Sequence, residues 1–489
     1  MDCRKNKIQR NIFWYGINLI TLIIFWGGLL RKNFTSDTIS HMVSSDADVK
    51  VVMEQGRYLR ALFDYILLKL GVRTTTQLSI TMLFTFLLLA GAMLVIQRSF
   101  DEWIQGSSEE KIVYALILNL GFINVLFAEV LMFAEMGVYF GIAYLLAASG
   151  VYFYSRRKYF YMILALVAGT CFYQYIVIYT AVYIVFYVFL KERSLSWKVL
   201  LREIIMAMVC LLIGAFNLLS ISILVKMGVL EQFSKNAGMG DIKLKLKQII
   251  QNFIGLNKDA SGIFPSLWIP LMMMLFAGGI LIWDFYKKSK GKEIIFLAIN
   301  SAGCFALLYV IPAAQQTFFF PPRMAFCFFL VQGLIIMSIY IMIDSKKKRK
   351  LLTLGCIGYL MVQYLFANFI VTNHFISNTL DKVYVKLAYE YILEYEQENN
   401  IIVENLCMIN DIDAPAYYDE VHYTSDQINE RSLGILSVSI MEVITGRKFN
   451  KVEMNSQIYE TYFKDRNWDY FDPEEQIIIV GNTAYWCMF

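Results

Sequence analysis

Apolar residues gather along this chain into blocks of roughly 17–25 positions, the length a helix needs to cross a ~30 Å hydrocarbon core. The blocks fall at about 12–30, 77–97, 112–132, 136–154, 158–172, 174–190, 203–226, 266–286, 294–312, 323–343 and 351–371. They predict an all-α polytopic membrane protein with about 11 transmembrane helices. The stretch 158–190 is one continuous apolar run, divided here at "GTCFYQY" into two short helices. A single long tilted helix is the alternative there, and it would invert the topology downstream.

Between the blocks, three regions depart from a plain bundle. The loop 31–76 is long. After Ala47 its apolar residues Val51, Val52, Leu59, Leu62, Phe63, Ile66, Leu67 and Leu70 recur at helical spacing, interrupted by Lys50, Glu54, Arg57, Arg60 and Asp64. This spacing predicts one amphipathic helix lying in the membrane interface. A second loop, about 227–265, holds "DIKLKLKQIIQNFIGL", a shorter amphipathic candidate. From about 373 to 489 the charge density rises ("EYEQENN", "YYDEVHY", "KDRNWDYFDPEEQ"). Strand-like runs "NLCMIND" and "QIIIVGN" appear there between helical stretches such as "TLDKVYVKLAYEYILEYEQ". The pattern predicts a small C-terminal α/β domain over 373–489, following a transmembrane domain over 1–372. Pro415 and Pro473 mark loops in it. No repeat at a period of about 20–50 residues is visible.

Composition agrees with a membrane chain. Of 489 residues, 58% are hydrophobic and 17% charged, with a mean hydropathy of +0.52; soluble domains carry about a quarter charged residues. A net charge of +4 is small for this length and argues against nucleic acid as a partner. The distribution of lysine and arginine sets the expected topology. "MDCRKNKIQR", "SRRK" (155–158), "KERSLSWK" (191–198), "KKSKGK" (287–292) and "SKKKRK" (345–350) all fall on one side. That side is the cytoplasm, which leaves the loop 31–76 and the C-terminal domain extracytoplasmic on a multi-pass cell-membrane protein. The dissenting "KLKLKQ" (243–248) lies in a long loop, where the rule is weak. The first apolar block runs into "RK" with no small-x-small cleavage site, so it reads as a retained helix rather than a signal peptide. Most of the eight cysteines lie inside apolar blocks, and Cys407 and Cys487 in the tail read as two unpaired thiols, with a disulfide as the alternative. His41, His374 and His422 are too scattered for a metal site.

Ionisable groups near membrane depth are expensive and mark candidate chemistry. Asp37 sits just past the first block among Thr35, Ser36, Thr38 and Ser40. It could act as a general base, or "TSD" could cap a short helix starting near Thr38. Asp46 and Asp48 in "SSDAD" carry the same two readings. Gly56 costs about 1 kcal/mol inside a helix, which suggests close approach of a ligand or a neighbouring helix. Arg57 and Arg60 would share a helix face able to hold a lipid phosphate, or to snorkel to headgroups. Glu129 and Glu135 in "FAEVLMFAEM" are carboxylates without a basic neighbour, expensive unless they face water or a ligand. Tyr173 and Gln174 sit at the tip of the next helix pair, and Arg323 in "FFFPPRMAF" is a second phosphate candidate or an end-of-helix anchor. Asp411 and Asp413 in "NDIDAP" have the spacing of a metal-holding pair, but on the outer face, away from nucleotide sugars, they read as a strand-end turn.

"SD" in the first outer loop, followed after about 19 residues by "GRY", resembles the glucosyltransferase Gtr type II family. "GTCFYQYIVIYTAVYIVF" is similar to that family's Tyr-Gln segment and "PPRMAF" to its later outer-side arginine, so the resemblance covers roughly the whole membrane region. It implies a GT-C-like integral membrane glycosyltransferase. Such enzymes take a sugar, usually glucose, from a polyprenyl-phosphate carrier such as undecaprenyl phosphate and place it on a surface polysaccharide outside the membrane. A donor synthase and a small flippase would be the partners. The resemblance maps the catalytic base onto Asp37. Where the family often pairs two acids, "SDT" offers one, so a second would come from Asp46, Asp48 or Glu129, or be absent, since a phosphate leaving group needs no acid catalyst. Arg57 and Arg323 would hold the leaving phosphate, with Tyr173 near the sugar and Arg60, Gln174, Glu135, Asp46 and Asp48 also at the substrate site. Single displacement would invert the anomeric centre and needs no metal or cofactor. A polysaccharide polymerase or ligase, or a transporter or flippase of lipid-linked sugars, would share many of these features. A transporter should add inverted repeats or broken mid-membrane helices, and the sequence displays neither.

Overall fold

The computed structural model describes residues 2–44, 47–193, 195–231, 241–285, 291–315, 317–409, 428–429, 431–466, 468 and 470–488. Among them, seven helices are long and apolar enough to cross a membrane, and a small sheet lies near the C-terminus. The chain opens with α1 (Asp2–Trp26), and its first loop holds α2 (Ser36–Val43), α3 (Ala47–Glu54) and α4 (Tyr58–Lys69). The bundle continues through α5 (Leu78–Ser99), α6 (Ser108–Leu118), α7 (Ala128–Met132), α8 (Gly137–Ser155), α9 (Tyr159–Thr170), α10 (Ile176–Glu192) and α11 (Trp197–Lys226). After the amphipathic α12 (Ile242–Asp259) come α13 (Ile269–Phe285), α14 (Gly291–Leu308), α15 (Val310–Ala314), α16 (Pro322–Ala325), α17 (Cys327–Met342) and the long α18 (Lys346–Asn399).

Helices that are apolar on every side belong at the centre. α10 is buried at every position from Ile176 to Leu190, and α17 is buried almost throughout. α1, α11 and α14 instead leave Phe13, Ile20, Leu212, Phe216 and Ile295 uncovered. An apolar centre ringed by apolar outer faces is the arrangement of a helical membrane protein, with lipid as the outer solvent.

The two-helix reading of 158–190 holds, and two other expectations are revised. The apolar run 158–190 divides into α9 and α10 around residues 171–175. The segment 112–132 is not one helix: α6 stops at Leu118 and the chain turns through 3-10 segments before α7. Such a break survives in a membrane only where other groups satisfy the freed backbone. Here Gln363 Oε1 accepts from Val125 N at 3.2 Å, Trp26 Nε1 donates to Phe122 O at 3.0 Å, and Asn124 Oδ1 accepts from Leu126 N at 3.1 Å. The single amphipathic helix expected after Ala47 is two helices, for a reason that lies at the site below.

The tail is not a separate lobe on a tether. α18 runs unbroken across the 372/373 boundary and carries the chain out of the bundle. Beyond it, β1 (Asn405–Ile409), α19 (Ser437–Thr445), β2 (Asn450–Lys451), β3 (Ile477–Val480) and β4 (Thr483–Cys487) build a sheet of order β2-β1-β4-β3. β1 pairs parallel with both β2 and β4, and β3–β4 is an antiparallel hairpin. Leu406, Ile477, Ala484 and Trp486 form a core with Val385, Ala388 and Ile392 of α18. Phe34 and Ile39 of the first loop enter the same core, and α19 packs on α2. Arg447 bridges Glu396 at 2.6 and 2.9 Å, and Arg431 Nε meets Asp381 at 2.6 Å, fastening the tail to α18. Cys407 lies opposite Tyr485 and Cys487 opposite Ile409; both remain thiols.

Candidate functional site

The outer helix of the first loop breaks at Gly56, whose φ of +74° is natural only to glycine. A Cβ there would stand 2.6 Å from Asn217 Oδ1 and 2.7 Å from Ile221 Cδ1, so α11 itself occupies the space a side chain would need. Asn217 Nδ2 donates to Gly56 O at 2.9 Å, and Gln174 Nε2 donates to Gln55 O and to Asn217 Oδ1. The glycine thus serves a neighbouring helix. The turn ends α3 and presents Arg57 as the residue before α4.

Arg57 keeps some surface, but its Nε is shielded from solvent and meets no acceptor. Burial, together with Arg60 and Arg323, pushes its pKa down to about 9, against the opposing pull of Tyr173 and Asp37. A guanidinium with that value is still charged at neutral pH. It is a cation among cations with its charge unanswered among the described residues.

Arg323 follows the two prolines that start α16. Its guanidinium pairs with Glu129 Oε1, and its backbone N–H donates to Glu129 Oε2 at 2.5 Å. Glu129 is fully buried on α7, so the broken segment 112–132 delivers a carboxylate to this arginine. The rings of Phe133 and Phe319 face the guanidinium with its Cζ at 5.2 and 5.4 Å. Tyr173 hydroxyl donates to Arg323 O at 3.0 Å; burial pushes the phenol up, which keeps it a neutral donor. Adjacent residues Tyr173 and Gln174 therefore hold two arginine-bearing turns from the hinge between α9 and α10.

Arg60 is buried and already neutralised. Its Nε meets Asp64 Oδ2 at 3.2 Å, Tyr139 hydroxyl donates to Asp64 Oδ1, and its Cζ lies 5.6 Å from the Tyr139 ring centre. Because α4 begins after Arg57, the two arginines do not share a helix face as the sequence spacing suggested. Glu135 accepts from Thr38 Oγ1 at 2.7 Å through Oε2, while its buried Oε1 has no hydrogen-bond partner. Burial pushes this carboxyl up, against the pull of His41 and the Thr38 hydroxyl. A cavity of about 60 Å³ lies between His41, Ser44, Arg60, Asp64, Arg73 and Glu135. That is room for a few waters and not for a hexose.

Asp37 stands on α2, whose true cap is Thr35: Thr35 Oγ1 accepts from Thr38 N at 3.3 Å, and Thr38 Oγ1 accepts from Thr35 N at 3.2 Å. The cap reading of Asp37 fails because the helix starts at Ser36, two residues earlier than expected. Thr35, Ser36 and Thr38 are buried while Asp37 is exposed, and among the described residues its carboxylate has no hydrogen-bond partner. The helix is fixed from three sides. Thr38 binds Glu135, the tail packs on Ile39, and Asn378 clamps Phe34 by accepting from its N at 2.8 Å and donating to its O at 2.9 Å.

Asp37, Arg57, Arg60, Glu129, Glu135, Tyr173, Gln174 and Arg323 thus converge at one end of the bundle. Asp46, with Asp411 and Asp413, lies outside the described residues, and Asp48 is located on α3 by its backbone alone. Sequence reading overlooked Asn217, Tyr139 and Asn378, which act through contacts distant in the chain, while Asp64, four residues from the Arg60 it pairs with, was marked only as a polar position of the loop helix. Comparison of this chain with protein-family models, with curated proteins and with solved structures finds no match.

Proposed function

We propose that this cluster seats the phosphate of a polyprenyl-phosphate sugar, and that the protein transfers the hexose, glucose by resemblance, to a surface polysaccharide on the outer face of the cell membrane. The observation that carries the reading is Arg57: a half-buried guanidinium whose shielded Nε has no acceptor among the described residues, pressed by Arg60 and Arg323. A protein keeps such a charge where an anion answers it, and phosphate suits a fork of N–H donors. Asp37, exposed on a rigidly held helix and within electrostatic reach of Arg57, is the general base that takes the proton from the acceptor hydroxyl. The sugar's anomeric bond to phosphate breaks as the acceptor oxygen attacks from the opposite face. Arg57 and Arg323 stabilise the charge growing on the departing phosphate. Glu129, with both oxygens on Arg323, positions that arginine rather than accepting a proton. Tyr173 and Gln174 act in the same supporting way.

Arg57→Ala is the informative variant. Loss of charge-assisted hydrogen bonds to phosphate weakens use of the lipid-linked donor about tenfold or more. Removing a half-buried charge that no ion pair among the described residues answers also leaves the unfolding midpoint unchanged or higher. Membranes supplied with a radiolabelled polyprenyl-phosphate hexose and acceptor glycan measure the first, and thermal unfolding in detergent the second. A variant that unfolds earlier but uses donor normally would contradict the proposal. The broken segment at 119–127 favours a second reading, transport of a lipid-linked sugar, since interrupted helices are a transporter feature. The same assay separates the two: transfer leaves the label in a glycosidic bond, whereas transport moves an unchanged carrier.

A further inference from the structure

At the opposite end of the bundle, α1, α5 and α6 enclose a cavity of about 250 Å³. Three cations line it, Arg10, Arg98 and Lys111, against one carboxylate, Asp101. Asp101 Oδ2 accepts from Arg10 Nη2 at 2.9 Å and from Arg98 Nη1 at 3.3 Å. Arg98 also donates through Nη2 to Asn11 Oδ1, yet its shielded Nε meets no acceptor. Lys111 has no ion-pair partner among the described residues. Beneath them, Asn18 and Gln97 exchange buried amide hydrogen bonds at 3.1 and 2.8 Å, locking α1 to α5 and fixing the floor. Trp14 and Ile104 supply apolar wall.

Positive charge exceeds negative around an enclosed space at the ends of membrane helices, where lipid headgroups lie. The shielded Arg98 nitrogen is a donor without an acceptor, and Lys111, exposed in the same lining, adds a positive charge that no side chain among the described residues pairs. Phosphate oxygens meet that need bidentately at arginine and as a point charge at lysine. We propose that this cavity binds a phosphate group, carried by an anionic bilayer phospholipid or present as free phosphate, as a site separate from the transfer cluster.

The test uses the full chain in phosphatidylcholine nanodiscs, with phosphatidylglycerol added in one arm and inorganic phosphate in another. Native mass spectrometry reads retained lipid, and thermal unfolding reads stabilisation by ligand. Phosphatidylglycerol is expected to be retained and to raise the unfolding midpoint. Lys111→Gln and Arg10→Gln, both at accessible side chains, should each weaken retention about tenfold. Lys346→Gln, an exposed lysine outside the cavity, should change nothing. A midpoint shift by inorganic phosphate alone that is lost in the same two variants keeps the site and names free phosphate as its ligand. No shift in either arm, or equal losses in Lys346→Gln, overturns the proposal.

Discussion

Replacing Asp37 by asparagine will abolish hexose transfer while leaving the protein expressed, inserted and close to wild-type stability. The carboxylate is exposed and has no hydrogen-bond partner among the described residues, so the fold loses little with it. What goes is a negative charge in the first turn of α2, worth about 0.3–1 kcal/mol. The cap that holds the helix belongs to Thr35 and Thr38 and is untouched. Loss of a general base slows transfer about a hundredfold to ten-thousandfold. Initial rates with labelled donor, set beside unfolding midpoints of both proteins, check the two halves together. Normal transfer by Asp37→Asn would remove this residue as the base.

Glu129→Gln will be the most destabilising single change at the site. The carboxylate is fully buried and both oxygens serve Arg323. Glutamine keeps an acceptor for the Arg323 N–H but removes the buried negative charge that faces its guanidinium. Breaking a buried pair from one side costs about 3–5 kcal/mol. Adding Arg323→Gln removes the stranded charge, so the double variant should recover much of the lost stability. It should not recover transfer, since the proposal needs Arg323 at the leaving phosphate. Thermal unfolding of the single and double variants in detergent gives the comparison. Equal midpoints for wild type and Glu129→Gln would mean that the pair does not organise the site.

Glu129 also marks the limit of sequence reading here. Its separation from Arg323 is 194 positions, and Tyr173 lies 150 from the carbonyl it binds. No periodicity encodes such pairs. The apolar blocks were legible because burial in lipid needs long apolar runs, and each block contains helix. β1 was legible as a short apolar run and β3 as a β-branched one, whereas β4, "TAYWC", is too mixed to stand out. The break in segment 112–132 was hidden because its cost is met elsewhere, by Gln363 and Trp26. The split between α3 and α4 did carry a signal, Gly56, but the helix-periodic apolar residues on both sides outweighed it. The importance of Asp37, Arg57 and Arg323 was visible as charge beside membrane. Their division into an exposed acid, an unanswered arginine and a paired arginine was not, since that depends on which partners the fold brings.

The proposed reaction requires α2 on the exterior face, where a lipid-linked donor and a surface glycan would meet. Ser40 is exposed on the same helix as Asp37 and can be replaced by cysteine without touching the cap. Intact cells carrying Ser40→Cys should be labelled by a membrane-impermeant maleimide well above the background of the unsubstituted chain. Labelling that appears only after the membrane is permeabilised would place Asp37 in the cytoplasm, away from both substrates, and would contradict the proposed reaction.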